Sequence, residues 1–323
     1  MKRKALVTGA GGFIGHHMVK FLQAEGYEVR GVDIKEPEYE ATTADDFRLL
    51  DLRRRNECIE ATAGMDDVYQ LAADMGGIGF ISGNHADVAS NNILINAHML
   101  EASEINSVTR YFYSSSACIY PLFLQDIPEV GGLKEEDAYP AQPEEGYGWE
   151  KLYAEKLCEY YDEEGRFPTR VARFHNVYGP LGTYDGGREK APAAICRKVA
   201  MADDGGEIEV WGDGLQTRSF MHVDDCVEGI YRIMQSDHSA PLNLGTEELV
   251  TVNDLVDLVA KIAEKSIGKK HDLSKPQGVR GRNSDNTRLT KVLGWGPRIS
   301  LEEGLRPTYS WIAEQVSKVQ THA

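Results

Sequence analysis

The sequence predicts an α/β fold, built as a doubly wound parallel sheet with a smaller C-terminal α/β domain that binds substrate. Three features predict it. Short β-branched runs alternate with helical stretches through the first half of the 323 residues, a glycine-rich turn joins the first run to the first helix, and glycines divide the later half into short pieces. Strands separated by helices form right-handed βαβ units, and these units build a parallel sheet of the Rossmann type.

Hydrophobic spacing predicts the individual elements. In the first helix, Phe13–Glu25, the apolar residues Ile14, Met18, Phe21 and Leu22 share one face. The predicted strands are Lys4–Thr8, Tyr27–Asp33, Phe47–Leu50, Asp67–Leu71, Arg110–Ser114 and Arg170–Asn176. The other predicted helices are Arg53–Thr62, Val88–Glu104, Tyr147–Glu164, Thr251–Ser266 and Leu301–Val319. We place a first, nucleotide-binding domain at 1–175 and a second, substrate domain at 176–323, with an interleaved boundary because no linker stands out.

Composition excludes several classes of function. The chain has 35 Lys+Arg against 51 Asp+Glu, a formal net charge of −16, and nucleic-acid binding needs clustered basic residues instead. No run approaches the roughly 20 apolar residues that span a bilayer. Five cysteines form no C-x-x-C pair, and His16 and His17 lack acidic partners at ligand spacing. We therefore expect a reduced, cytoplasmic protein that binds no nucleic acid, membrane or metal.

A glycine-rich loop follows the first strand and opens the first helix. Glycines allow a tight turn and let the backbone approach a pyrophosphate, which the helix N-terminus stabilises. The loop residues expected to contact a dinucleotide are Gly9, Gly12, Phe13, Ile14 and Gly15.

A carboxylate at the end of the second strand indicates which dinucleotide binds. Asp33 lies 18 residues after Gly15, close to the ~20 expected for an acid that grips a ribose 2′-hydroxyl. Because that acid repels a 2′-phosphate, we expect NAD rather than NADP. Asp51 and Leu52, which follow the third strand, are expected beside the adenine.

Tyr147 and Lys151 stand at i and i+4 and therefore share a helix face. We expect the ammonium to lower the phenol pKa, which starts near ~10. The phenolate would then be the general base that oxidises a sugar hydroxyl with NAD, with Ser116 at a strand end as its hydrogen-bonding partner. Tyr147 and Lys151 are also expected to contact NAD.

These residues resemble the extended short-chain dehydrogenase/reductase superfamily and, within it, the GDP-mannose 3,5-epimerase family. The glycine loop and the Tyr/Lys pair indicate only the superfamily, whereas Cys118 and the segment 187–193 are far more discriminating. The segments that carry the resemblance are Ala73–Ile81, Ser115–Pro121, Arg173–Pro180, Gly187–Ala193, Trp211–Phe220 and Val279–Asn286.

The resemblance implies that NAD oxidises C4 of GDP-D-mannose and that C3 and C5 are then inverted. The implied products are GDP-L-galactose and, if only C5 inverts, GDP-L-gulose. Cys118 stands where many relatives carry threonine, and its thiol pKa starts near ~8.5. Lys190 is the implied opposing acid or base, and its pKa must fall from ~10.4 before it can act as a base.

The resemblance also implies a substrate site and a homodimer. Lys198, Arg218 and Arg282 are the cations implied for the diphosphate, for which arginine is well suited. The other implied substrate contacts are Gly76, Gly77, Ser116, Ala117, Cys118, Asn176, Glu189, Lys190, Ala191, Gln216 and Thr217. A homodimer is implied through the helices near Val88–Glu104 and Tyr147–Glu164, although the core explains an apolar helix face equally well.

Two alternative functions remain open from the sequence. A nucleotide-sugar 4-epimerase needs only the Tyr147/Lys151 couple, and a 4,6-dehydratase usually carries an Asp-Glu pair where this chain has Ala117 and Cys118. A non-catalytic NAD-binding sensor should have lost Tyr147 or Lys151, and both are present.

Overall fold

The computed structural model describes residues 2–275 and 277–322. Its strands are β1 Lys4–Thr8, β2 Glu28–Asp33, β3 Asp46–Leu49, β4 Asp67–Gln70, β5 Arg110–Ser116, β6 Thr169–Phe174, β7 Asn176–Tyr178, β8 Glu207–Trp211, β9 Thr217–Arg218, β10 Phe220–His222, β11 Leu242–Leu244, β12 Val250–Thr251, β13 Gly268–Asp272 and β14 Gly281–Arg282. Its helices are α1 Phe13–Ala24, α2 Arg55–Thr62, α3 Ile78–Ile81, α4 His85–Ile105, α5 Tyr147–Glu163, α6 Ala191–Met201, α7 Val223–Gln235, α8 Val252–Ile262, α9 Thr287–Leu293 and α10 Leu301–His322.

Seven strands form one parallel sheet in the order β11-β6-β5-β4-β1-β2-β3. The predicted doubly wound α/β fold is thereby confirmed. The strand order reverses between β1 and β4, and ligands of such sheets bind at the carboxyl ends of the strands beside that reversal.

Helices cover both faces of the large sheet. α1 and α7 pack together on one face, and α2, α4 and α5 pack on the other. Met18, Leu22 and Ile230 on the first face and Met99 and Leu100 on the second are essentially inaccessible to solvent. Burial of each such side chain stabilises the fold by about 1.5–3 kcal/mol relative to exposure.

The prediction of one strand over Arg170–Asn176 is wrong. The chain forms β6 and then β7, which belong to different sheets: β6 pairs with β5 and β11, whereas β7 pairs with β10. The physical reason is the length of the neighbouring strand. β5 ends at Ser116, opposite Phe174, so the chain beyond Phe174 has no further partner on that side and turns away at His175.

The remaining elements surround a smaller core. α6, α8 and α10 pack on one another around Ile195, Val199, Leu255 and Leu305. The division into domains at 175 stays a prediction. Residues beyond that point nevertheless complete the large sheet, since β11 forms its edge and α7 covers α1.

In the described part of the chain, no helix is both long enough and apolar enough to cross a membrane. The same residues contain no group of three or more histidine, cysteine or acidic side chains placed to hold a metal ion.

Candidate active site

The glycine loop forms a narrow turn between β1 and α1 that larger residues could not adopt. A Cβ atom on Gly15 would lie 2.0 Å from the carbonyl oxygen of Gly9, and one on Gly11 would lie 2.2 Å from that of Lys35. Gly12 caps α1, so the first amides of that helix, at Phe13 and Ile14, have no acceptor within the helix. The loop therefore offers a backbone cradle for an anion at a helix N-terminus.

Asp33 lies at the end of β2 beside this cradle. One carboxylate oxygen accepts a hydrogen bond from the Gly11 amide at 3.0 Å, and the other accepts one from the Ile34 amide at 2.7 Å. Burial raises the pKa of Asp33 above its ordinary value. The cradle and this carboxylate fit the pyrophosphate and a ribose of NAD.

Asp51 and Leu52 follow β3, on the same side of the sheet. The Asp51 carboxylate is held by Arg53 through two hydrogen bonds of 2.8 Å, and Leu52 is buried. Their contact with adenine stays a prediction.

The structure brings Tyr147, Lys151 and Ser116 together at the end of β5. Lys151 Nζ donates a hydrogen bond to the Ser114 carbonyl oxygen at 2.9 Å and lies 5.5 Å from the centre of the Tyr147 ring. Tyr147 stands in the first turn of α5, and both side chains are buried.

The expected lowering of the phenol pKa by Lys151 is not found. Burial raises the pKa of Tyr147 well above its ordinary value, negative charge on Cys118 and Glu150 raises it further, and the hydrogen bond with Ser116 opposes this only in part. Burial also lowers the pKa of Lys151. Both shifts arise because burial disfavours the charged form of each group.

Cys118 lies two residues beyond Ser116, against the start of α5. Its amide donates a hydrogen bond to Ser116 Oγ at 3.2 Å, and its sulfur accepts one from Arg282 at 3.5 Å. A Cβ atom on Gly148 would lie 2.4 Å from the Cys118 carbonyl oxygen, so the glycine after Tyr147 permits this close approach. Burial raises the pKa of the Cys118 thiol.

Lys190, the last of the predicted catalytic residues, stands immediately before α6. No side chain or carbonyl in 2–275 or 277–322 accepts a hydrogen bond from its ammonium, and no carboxylate there pairs with it. Burial lowers the pKa of Lys190, while negative charge on Cys118 opposes that shift. The structure therefore places the predicted thiol and amine in one electrostatically coupled site.

The glycines after β4 dock against the segment that carries Lys190. The Gly77 amide donates a hydrogen bond to the Arg188 carbonyl oxygen at 3.1 Å, and a Cβ atom on Gly77 would lie 2.8 Å from that of Glu189. Gly76 packs on Phe80.

Several implied substrate contacts have protein partners in this structure. The Glu189 carboxylate accepts hydrogen bonds from Arg197 and from the Gly187 amide, and Lys198 donates to the Glu209 carbonyl oxygen at 2.8 Å. Ala117 is buried after Ser116, and Ala191 opens α6. The substrate roles of all these residues stay predictions.

Arg218 and Arg282 lie opposite each other on the paired strands β9 and β14. Arg218 donates to the carbonyl oxygens of Thr217 and Val279, each at 2.7 Å, and pairs with no carboxylate in the described ranges. Burial lowers the pKa of Arg218 to about 10. Arg282 instead donates to Gln125, Glu144 and Cys118. Arg218 therefore has the greater capacity to bind an added anion.

Three polar side chains lie on or near the strands of these arginines, and one of them has a hydrogen-bonding atom without a partner in the described residues. Gln216 donates to the Trp211 carbonyl oxygen at 3.1 Å, but its own buried Oε1 has no partner in the described part of the chain. Asn176 donates to the Ser219 carbonyl oxygen, and Thr217 to that of Pro128.

Comparison with known proteins agrees with this geometry. Residues 5–245 match the model of the NAD dependent epimerase/dehydratase family. GDP-mannose 3,5-epimerase of Arabidopsis thaliana is 49% identical over 317 residues, which cover 98% of this chain and 83% of that protein. The chain belongs to the NAD dependent epimerase/dehydratase family.

Solved structures of other epimerases share the fold of this family member. UDP-glucose 4-epimerase of Thermotoga maritima superposes with a TM-score of 0.84 at 27% identity, covering 97% of this chain and 99% of that one. UDP-glucuronic acid 4-epimerase of Bacillus cereus, solved with UDP-glucuronic acid and NAD, gives 0.80 at 26% identity over 97% and 99% of the two chains.

The sequence reasoning missed Glu144 and Gln125. Both contact Arg282, which follows them by 138 and 157 residues, so no local pattern reveals the contacts. The position of Glu144, three residues before Tyr147, was the available signal for a site residue.

Proposed function

We propose that this protein is an NAD-dependent epimerase that inverts C3 and C5 of GDP-D-mannose through a transient 4-keto sugar. The products are GDP-L-galactose and, when C5 alone inverts, GDP-L-gulose. The observation that carries the proposal is that Cys118 interacts electrostatically both with the Tyr147/Lys151 pair and with Lys190. The name of the Arabidopsis thaliana relative supports it.

Tyr147 begins the reaction as the general base that accepts the proton of the C4 hydroxyl. Oxidised NAD, when bound, contributes positive charge to the site and exchanges a hydride with C4. Because the pKa of Tyr147 is raised in the free protein, its phenol is protonated there. Added positive charge would favour release of that proton to solvent, and the resulting phenolate can then accept the proton of the C4 hydroxyl. Ser116 and Lys151 hold the phenol and its surroundings in place.

Cys118 and Lys190 act on the carbons beside C4. A ketone at C4 acidifies the C–H bonds at C3 and C5, so a weak base can remove either proton. Inversion requires that one group removes a proton and a second group returns one to the opposite face. A thiol whose pKa burial raises and an amine whose pKa burial lowers are a suitable donor and acceptor.

The 4-epimerase alternative is less well supported. Such an enzyme needs the Tyr147/Lys151 couple alone, and it leaves unexplained both the Cys118 thiol and the coupled Lys190 amine, which has no ion-pair partner in the described chain. The same observation disfavours a non-catalytic NAD-binding sensor, which has no use for an additional coupled proton donor and acceptor.

The diphosphate and the second copy of the chain also belong to the proposal. Arg218 is the cation best placed for the diphosphate, since it has no carboxylate partner in the described residues.

A homodimer forms through α4 and α5, whose outer faces expose apolar side chains. These residues are Ile93, Leu94, Trp149, Tyr153 and Tyr160. Five free cysteines fit a reducing, cytoplasmic setting.

Product analysis in deuterated water tests the proposal. We expect GDP-mannose to yield GDP-L-galactose with deuterium at C3 and C5, because the carbon-bound protons exchange with solvent. Cys118→Ala should slow this exchange by about 100-fold or more, which is what loss of a general acid or base costs. Cys58→Ala, at a buried cysteine on α2, is the matched control and should retain exchange. A product changed at C4 and free of deuterium at both neighbours would establish a 4-epimerase instead.

A further inference from the structure

Charged and titratable groups from several elements interact electrostatically with Cys118. They are Tyr147 and Lys151 from α5, Lys190 before α6, Arg218 from β9, Arg282 from β14, and Glu144 from the segment before α5. Glu144 differs from the others in carrying a negative charge at neutral pH. Burial opposes ionisation of Glu144, but Arg282 lowers its pKa overall. Its charge therefore disfavours a thiolate on Cys118.

Arg282 connects Glu144 to the sulfur. Its Nε donates a hydrogen bond to Gln125 at 2.5 Å, one terminal nitrogen donates to Glu144, and the other donates to Cys118 Sγ at 3.5 Å. The three bonds fix the guanidinium plane, since arginine presents its donors in a rigid fork. Without Glu144, one arm of that fork would lose its partner.

The backbone holds Glu144 to both catalytic elements. Its amide donates a hydrogen bond to the Cys118 carbonyl oxygen at 2.9 Å, and its carbonyl oxygen accepts one from the Gly148 amide at 2.9 Å. Movement of Cys118 or of the start of α5 therefore carries Glu144 with it.

We propose that Glu144 is a positioning residue that holds Arg282 against the sulfur of Cys118 and, by its negative charge, keeps that sulfur protonated in the free protein. The catalytic importance of this role rests on the proposed function, in which a protonated Cys118 thiol is needed for inversion of the sugar carbons. Glu144 itself need not touch the sugar.

Titration of Cys118 by alkylation tests the proposal without using the sugar reaction. The other four cysteines are buried, whereas Cys118 is partly exposed, so iodoacetamide should label Cys118 first. Glu144→Gln keeps an oxygen for Arg282 and removes the charge. We expect the pH midpoint of alkylation to fall by about one unit. At neutral pH the rate should rise only about threefold, because a less basic thiolate is also less nucleophilic.

Two further variants fix the sign of the effect. Arg282→Gln removes the cation and should move the pH midpoint of Cys118 alkylation upward. This variant keeps the test decisive even if Glu144→Gln does not fold. Glu145→Gln makes the same change at the exposed neighbouring residue and should leave the midpoint unchanged. A folded Glu144→Gln protein with an unchanged or raised midpoint would overturn the proposal, as would a lowered midpoint in Arg282→Gln. Because no GDP-mannose is present, either result is distinguishable from failure of the epimerase assignment.

Discussion

At the scale of single residues, burial governs the acid–base groups of this site. Tyr147, Cys118 and Lys190 all have pKa values displaced in the direction that favours the neutral form. Charge brought by substrate or cofactor would therefore change the protonation of each of these groups.

Tyr147→Phe should greatly slow catalysis while leaving the fold intact. The substitution removes one hydroxyl from a buried ring, so the loss in turnover should be about 100-fold to 10,000-fold, the usual contribution of a general base. The measurement is the transient absorbance of reduced nicotinamide after GDP-mannose is added, which should disappear. Tyr160→Phe, on the exposed side of the same helix, is the control. A persistent transient in Tyr147→Phe would mean that another group holds the C4 proton.

The sequence predicts the residues of the site better than their electrostatics. Tyr147, Lys151, Ser116 and Cys118 do lie together, because the i, i+4 pair on α5 faces the end of β5. Lys190 interacts electrostatically with Cys118. The predicted lowering of the Tyr147 pKa was wrong. Helical spacing shows that Lys151 is near the phenol, but it does not show that the phenol is buried. Contacts across long stretches of chain, such as that of Arg282 with Glu144, leave no local pattern.

At the scale of elements, a buried carboxylate joins α4 to α5. Glu150 accepts a hydrogen bond from Asn92 at 2.9 Å, and Asn92 in turn accepts one from the Asp74 amide at 2.6 Å. Burial raises the pKa of Glu150 to about 7, although Lys151 opposes the shift. Helix α5 is thereby linked to the loop that carries Gly76 and Gly77.

Glu150→Gln should change how stability depends on pH. The folded-state pKa of about 7 exceeds the ordinary value of 4.5, so the folded protein binds more protons than the unfolded chain between these values. The stabilisation due to this group is present below pH ~4.5 and is lost as pH rises to ~7, by up to about 3 kcal/mol.

The measurement is the free energy of unfolding in denaturant at pH 5 and at pH 7.5. We expect the wild-type protein to lose more stability than Glu150→Gln over this interval. Glu163→Gln, at an exposed residue at the end of α5, should behave like the wild type. If the free energy of unfolding changes equally with pH in the wild type and in Glu150→Gln, the Glu150 carboxyl has the same pKa in the folded and the unfolded protein.

Elements that follow from local patterning are well predicted, and those set by a partner strand are not. The helices α1, α4 and α5 lie within a few residues of their predicted ranges because hydrophobic spacing is a property of the segment itself. The break between β6 and β7 depends on where β5 ends, which the residues 170–176 do not encode. Helix α7, which is not among the predicted elements, does have apolar residues at helical spacing, so its segment carries a local signal.

At the scale of the whole molecule, residues from both halves of the chain share one core. Ile230 and Ile233 of α7 are buried against residues of α1 and the large sheet, and β11 pairs with β6. A fragment of residues 1–175 would lose that strand and that helix together. We expect it to show no cooperative thermal transition by circular dichroism, whereas the full chain should show one. A cooperative transition in the fragment would show that the predicted first domain folds on its own.

Charge and exposed apolar surface act in opposite directions on self-association. Each chain carries a formal charge of −16, so two copies repel each other. The outer faces of α4 and α5 nevertheless expose Leu94, Trp149 and Tyr153 at 44%, 51% and 53% of their surface. Contiguous exposure of large apolar side chains is typical of protein–protein contact surfaces.

Sedimentation velocity should therefore show a dimer that added salt strengthens, because salt screens the repulsion and leaves the apolar contact intact. Tyr153→Glu would place a new negative charge on the surface that we propose for dimer contact, and we expect it to yield monomers at the same protein concentration. Ile34→Glu makes a comparable change at an exposed apolar residue after β2 and should leave the dimer intact. If Tyr153→Glu sediments as the wild type does, the contact lies elsewhere on the molecule, and the exposed faces of α4 and α5 need another explanation.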